Sequence, residues 1–231
     1  YYPLVQYIVS HVDFDHLITF GMGVGYNSCT AGAKRIREIE EKDGHNIPWS
    51  VILHIDEQNY ARHIQTYDMR IREGESLGIH TWQIIYDGQA FVFDSLFKHH
   101  PDSAFLLFCQ PEYLSEAFVA EAAQHKNLML VLACTDAAPQ CCLWMRKYHL
   151  PYSFYYVYDE KDLPLIESGE IFDTAEQYHP IFTALQGESS LSLSQREDVY
   201  RQIKAFRDAQ NYQTVPWELT FDSCHIDSII S

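Results

Sequence analysis

The chain has 231 residues, 47% of them apolar and 14% aromatic, which suits one large domain with a real core and argues against disorder. Thirty-two acidic residues face sixteen basic ones, for a formal charge of -16. Such a surface excludes nucleic-acid binding, which needs clustered Lys and Arg, disfavours anionic membranes, and accommodates a basic protein partner more readily.

Six cysteines are present, Cys29, Cys109, Cys134, Cys141, Cys142 and Cys224, with no CxxC pair among them. A zinc or iron–sulfur site is therefore not expected, and no cofactor is. Adjacent Cys141 and Cys142 fit a disulfide framework poorly, so reduced thiols in a cytoplasmic compartment are the expectation. No apolar run is long enough to span a membrane, and no signal peptide is visible. The chain begins at Tyr1 rather than Met and reads as a trimmed fragment.

In chain order, residues 1–20 suggest a short helix and Gly21–Gly25 a flexible turn. Ser28 reads as the N-cap of a helix from Cys29 to about Lys42, ended near Gly44. Residues 49–55 read as a buried strand, 60–71 as another, and 72–78 as a polar turn. His80–Asp94 then reads as a hairpin around Asp87-Gly88. A strand over 104–109, a helix opened by Pro111, and an apolar strand over 127–133 follow. After a loop, 141–148 starts a helix and 150–158 is strand-like. Residues 164–186 read as helical in pieces, 187–194 as a loop, and 196–210 as an amphipathic helix with Val199, Ile203 and Phe206 on one side. The tail after Val215 is expected to pack back on the body. The expected class is α+β, with a mostly antiparallel central sheet flanked by helices. Residues 1–186 would form the catalytic domain and 187–231 a C-terminal helical extension.

The hairpin carries the functional expectation. Antiparallel pairing across Asp87-Gly88 would bring His80 beside Asp94, and a carboxylate beside an imidazole fixes its tautomer and raises its basicity. Cys141 follows a buried strand and a loop at the predicted start of a helix, where partial positive charge favours a thiolate and free N–H groups can bind an oxyanion. Cys29 also begins a predicted helix after a glycine-rich turn and is the alternative nucleophile. The structural alternative stands beside both: His-to-Asp hairpins occur in ordinary sheets, and a free Cys is usually a small buried hydrophobe. His54 and Asp56 alternate on a strand, which more often marks half-exposed residues than a metal site.

The local wording is His80-Thr81-Trp82, then Phe93-Asp94-Ser95-Leu96, then Gln140-Cys141-Cys142-Leu143-Trp144. It resembles the cysteine proteases of ubiquitin-like modifiers, a group that includes the adenovirus endopeptidase and the YopJ-type effectors. That resemblance implies a papain-like, ubiquitin-like-protease-like fold, with His80 as general base, Asp94 as its orienter and Cys141 as nucleophile. It implies a protease or deubiquitinase acting on ubiquitin or a related modifier, of the kind bacteria deliver into host cells. The match departs from the family at three places. Thr135 stands where the oxyanion-hole Gln belongs, Gln140 replaces an acidic residue, and Cys142 replaces a Gly and is itself a candidate nucleophile. Alternatives on the same scaffold are a YopJ-like acyltransferase, a transglutaminase- or papain-like enzyme using Cys29, and an inactive protein-interaction module.

Overall fold

A computed structural model describes residues 1–231, and its centre is one seven-stranded sheet in which every strand is parallel to its neighbours. The strands are β1 (Ser50–Ile55), β2 (Thr81–Tyr86), β3 (Ala104–Cys109), β4 (Leu128–Ala133), β5 (Tyr152–Tyr158), β6 (Phe182–Gly187) and β7 (Val215–Glu218). They lie side by side in chain order, so each pair is joined by a crossover that carries a helix. All six residues of β4, Leu-Met-Leu-Val-Leu-Ala, are buried, as expected of a central parallel strand covered on both faces.

The antiparallel α+β expectation is overturned here. Residues 57–77 form α4 (Glu57–Leu77), helical on both sides of a kink at His63, where a strand and a polar turn were expected. Tyr86 ends β2, and the chain then runs through Asp87-Gly88 into α5 (Asp94–His99) instead of turning back as a second strand. The hairpin that was to join His80 to Asp94 does not form.

Helices cover the convex face of the sheet. Besides α4 and α5 these are α6 (Glu116–Ala122), α7 (Ala138–Lys147), α8 (Leu163–Ser168), α9 (Glu170–Glu176) and α10 (Leu193–Ala209). Alternation along the strands sends Trp82, Ile84, Phe105, Leu107, Leu130 and Phe154 outward into this layer, which is the main core. A second core lies under β5 and β6, where Tyr158 and Leu185 meet Phe172 of α9 and Val199, Ile203 and Phe206 of α10. The α10 helix begins with a capping box: Ser192 N–H donates to Gln195 Oε1 at 3.0 Å, and Gln195 N–H to Ser192 Oγ at 3.3 Å.

The concave face is closed at its N-terminal end by α1 (Tyr2–His11), α2 (Phe14–Gly21) and a π-helix over Met22–Gly32, which continues into α3 (Ala33–Asp43). The final helix, α11 (Leu219–Ile230), leaves β7 and returns to the first strand. Trp49 Nε1 donates to the Ser223 carbonyl and Trp49 N–H to Asp227 Oδ1, both at 3.2 Å. Arg37 of α3 donates to the Ile230 carbonyl at 2.9 Å. The sheet is thus a half-barrel, with α11 spanning the gap between its edge strands. No helix of the chain is long and apolar enough to cross a membrane.

Candidate functional site

The curl of the sheet places first and late strands around one space. His54 of β1 and Gln186 of β6 line the same cavity, although a flat sheet would hold strands five places apart at roughly 24 Å. This upper chamber has a volume of about 450 Å³ and opens toward the C-terminal ends of the strands, where α/β sheets bind their ligands. Gln83, Phe108 and Tyr155 form its floor, and Trp49, Ser223 and Cys224 form the wall on the α11 side.

Tyr155 is the best-placed polar group. Its ring packs at 61° against Phe108, centroids 5.4 Å apart, and its hydroxyl accepts from Gln110 Nε2 at 3.0 Å. Burial pushes its pKa up to about 12, with nearby Cys109 and Asp87 adding to the effect. The hydroxyl therefore keeps its proton and can donate to a ligand. His54 is exposed at the C-terminal end of β1, and Gln83 is half-buried at the junction with a second, lower chamber.

Five carboxylates lie just past the C-terminal ends of the strands. Asp56, Asp87, Asp136, Asp159 and Glu188 each follow the end of a strand by one to three residues. Two of them also start the next helical turn: Asp56 accepts from Asn59 N–H at 2.9 Å, and Asp159 from Lys161 N–H at 2.7 Å. The hydrogen bond from Asn59 holds the Asp56 carboxyl below the ordinary carboxylate range. Asp87 stands close enough to Tyr155 to help raise its pKa, and Asp227 of α11 lines the chamber itself, so a cationic ligand is favoured over an anionic one.

The residues expected to form a triad lie elsewhere and apart. His80 precedes β2 at the N-terminal end of the sheet, where its carbonyl accepts from Ala104 N–H at 2.7 Å. Burial lowers its pKa against the pull of Glu75 and Asp102, and its Nδ1 has no partner. Asp94 opens α5, binds Lys98 Nζ at 2.7 Å and stands 3.3 Å from Nε2 of a different histidine, His125. Cys141 is buried in the first turn of α7 with its Sγ 3.5 Å from the Pro111 carbonyl. It follows the C-terminal end of β4, so a strand length of roughly 20 Å separates it from the level of His80. Burial pushes the Cys141 thiol up to about 11 and the Cys142 thiol to about 12. Burial also raises Cys29, which lies on the π-helix and lines the lower chamber. The structure gives none of these thiols an imidazole partner. Nor do three His, Cys, Asp or Glu side chains gather anywhere as a metal site.

Gln83, Tyr155, Gln186 and Asp227, which line the chamber, carry no motif that marks them in the sequence, whereas His54 does stand out beside Asp56.

No known protein-family model matches the chain, and no curated protein matches it. Among solved structures, the chain is similar to SuiB of Streptococcus suis, a protein crystallised bound to S-adenosylmethionine. The TM-score is 0.58 at 10% sequence identity, and the match covers 77% of this chain and 49% of that one. The chain therefore spans about half the length of that protein. This likeness is one of fold, and together with the all-parallel sheet it replaces the protease, deubiquitinase, effector and acyltransferase expectations. In fold, the chain resembles a solved S-adenosylmethionine-bound protein built on the same kind of parallel α/β sheet.

Proposed function

We propose that the upper chamber binds S-adenosylmethionine and that the chain acts as an enzyme on or with that molecule. The observation that carries the reading is the pairing of an aromatic floor, Phe108 and Tyr155, with the carboxylates of Asp227 and Asp87 in a chamber of a parallel sheet. S-adenosylmethionine carries a sulfonium and an ammonium, which these carboxylates attract, and a flat adenine, which aromatic side chains hold. The amides of Gln83 and Gln186 and the Tyr155 hydroxyl offer the hydrogen bonds that would orient it. That SuiB binds this molecule supports testing it before other nucleosides. His54, Asp227 and Cys224 line the same chamber and are within reach of a bound molecule.

Equilibrium dialysis with radiolabelled S-adenosylmethionine tests the reading directly. Saturable binding is expected, weakening as salt screens Asp227 and Asp87, and falling about tenfold in Tyr155→Leu as one hydrogen bond and one aromatic contact are lost. Absence of saturable binding by the folded protein would refute it.

A further inference from the structure

Beneath the upper chamber lies a second cavity of about 530 Å³, between the concave face of the sheet and the N-terminal helices. It reaches solvent past Gly21, Gly25 and Cys29, which are exposed, and a concave apolar space of this size is of the kind that takes a small ligand. Three features describe what fits it.

The first is the absence of charge. In a chain with 32 acidic and 16 basic residues, not one Asp, Glu, Lys or Arg lines this cavity. Its walls are aliphatic and aromatic, with Leu17, Phe20 and Val24 on the helical side and Leu106, Met129 and Phe182 on the sheet side. Its one histidine, His16, is 1% exposed, and its Nε2 binds the Leu128 carbonyl at 2.6 Å. A charged or strongly polar ligand would lose its hydration here without compensation.

The second is shape. The walls run from Thr81, at the start of β2, to Phe108, four residues along β3 from Thr81's register partner Ala104. That is a path of roughly 13 Å along the strands. Trp49, Gln83, Phe108, Leu219 and Ser223 line both chambers, so the lower one opens into the upper one.

The third is the wall itself. Gly21, Val24, Gly25 and Cys29 face the cavity from, or beside, an eleven-residue π-helix. π-helical turns are rare, usually single, and frequent at functional sites. One face of the wound-out turns sits against the cavity, while Gly23, Ser28 and Gly32 pack on the neighbouring elements.

We infer that the lower chamber is a binding site for the aliphatic tail of an amphipathic ligand, whose neutral or cationic head rises into the chamber above, toward Asp227 and Asp87. An anionic head would meet these carboxylates and bind less well. This site adds to the proposed S-adenosylmethionine site and is tested separately from it.

The chain supplies its own reporters. Cys29 lines the lower chamber and Cys224 the upper one, and both thiols are exposed. Their rates of alkylation by iodoacetamide can be followed residue by residue by mass spectrometry. Octylamine at a non-denaturing concentration is expected to slow Cys29 about tenfold, because a pocketed tail excludes the reagent. Octanoate, with the same tail and the opposite charge, is expected to protect less. S-adenosylmethionine is expected to slow Cys224 and leave Cys29 unchanged. Val24→Trp fills the cavity and should abolish octylamine protection of Cys29 while S-adenosylmethionine still protects Cys224.

Unslowed Cys29 in wild type with octylamine overturns the inference. So does protection that survives in Val24→Trp, or octanoate protecting better than octylamine. If octylamine protects Cys29 while S-adenosylmethionine fails to protect Cys224, the tail site stands and the S-adenosylmethionine reading falls.

Discussion

His16 couples a single ionisation to the stability of the whole molecule. Burial is the main reason that its pKa falls to about 4, with Lys126 and His125 contributing and Asp13 opposing. In the unfolded chain the same imidazole titrates near 6.5. The folded state therefore excludes a proton that the unfolded state takes up as the pH drops. The stability this represents is complete above pH 6.5 and is lost progressively as pH falls toward 4, to a total of about 3 kcal/mol. Urea unfolding at pH 7 and pH 5 should show about 2 kcal/mol of that loss, and His16→Gln, which keeps an N–H donor for Leu128, should show clearly less. Equal losses in the two proteins would mean that other groups set the acid sensitivity. One candidate is the cluster at His100, whose Nδ1 is 3.0 Å from Glu75 Oε2 and whose Nε2 is 3.3 Å from Asp68 Oδ1. Burial alone would raise the Glu75 pKa, but hydrogen bonds from His100 and Ser103 outweigh it and hold that carboxyl below its ordinary value.

Two helix junctions decide whether the half-barrel holds its shape. The first ties α10 to α11, where Arg207 grips Asp222 with two bonds of 2.7 Å and also donates to the Pro216 carbonyl at 3.0 Å. Asp222 is 3% exposed, so Asp222→Ala leaves a largely buried guanidinium unpaired and should cost about 3–5 kcal/mol. Because α11 closes the gap between the edge strands, its amides should exchange faster in that variant and Cys224 should alkylate faster. A loss of stability without faster exchange in α11 would show that the pair does not hold the closing helix. The second junction is the crossing of the π-helix and α4 at Gly32 and Gly78. Gly78 ends α4 at φ +104, a conformation glycine adopts freely, and a Cβ on Gly32 would overlap the Gly78 carbonyl oxygen. Gly32→Ala should therefore destabilise by about 1–3 kcal/mol and lower Tm by several degrees in a calorimetric scan. The sequence resolved elements according to the strength of their local signals. Residues 104–109, 127–133 and 150–158 read as strands because apolar and aromatic runs leave little choice, and 196–210 read as a helix from its spacing of apolar positions. Residues 60–71 misled because alternating His63, Gln65, Tyr67 and Met69 imitate a strand, while burial of only one helical face, Tyr60, Ile71 and Gly74, makes the segment an outer helix. Gly21–Gly25 read as a turn because glycines usually break helices, yet Gly23 is needed where the π-helix passes within van der Waals contact of Ala104.

At the scale of the molecule, one misread turn changed the architecture. Asp87-Gly88 after an apolar strand satisfies the rule for a tight hairpin, and the same pair equally begins a crossover loop. The order of elements separated the two, since apolar strands alternate with helices along most of the chain, which points to parallel pairing. Strands β6 and β7, the latter only four residues long, weakened that pattern, lying in segments that look helical or irregular, so the last fifth of the chain reads as an appendage beginning at Gly187. In the structure, residues beyond 187 supply α10, β7, which pairs with β6, and α11, which closes the concave face. Cutting the chain after Gln186 would strip Leu191, Val199, Ile203 and Phe206 from the second core and expose Tyr158, Ile166, Phe172 and Leu185. Exposing four such side chains forfeits roughly 6–12 kcal/mol, comparable to the whole stability of a typical domain. The fragment 1–186 is therefore expected to lack a cooperative urea transition, to show a flat near-ultraviolet circular dichroism spectrum, and to bind a hydrophobic dye. A sharp transition in that fragment would instead make residues 1–186 a folding unit of their own. It would also move the closing role of α11 from the stability of the fold to the ligand chambers alone.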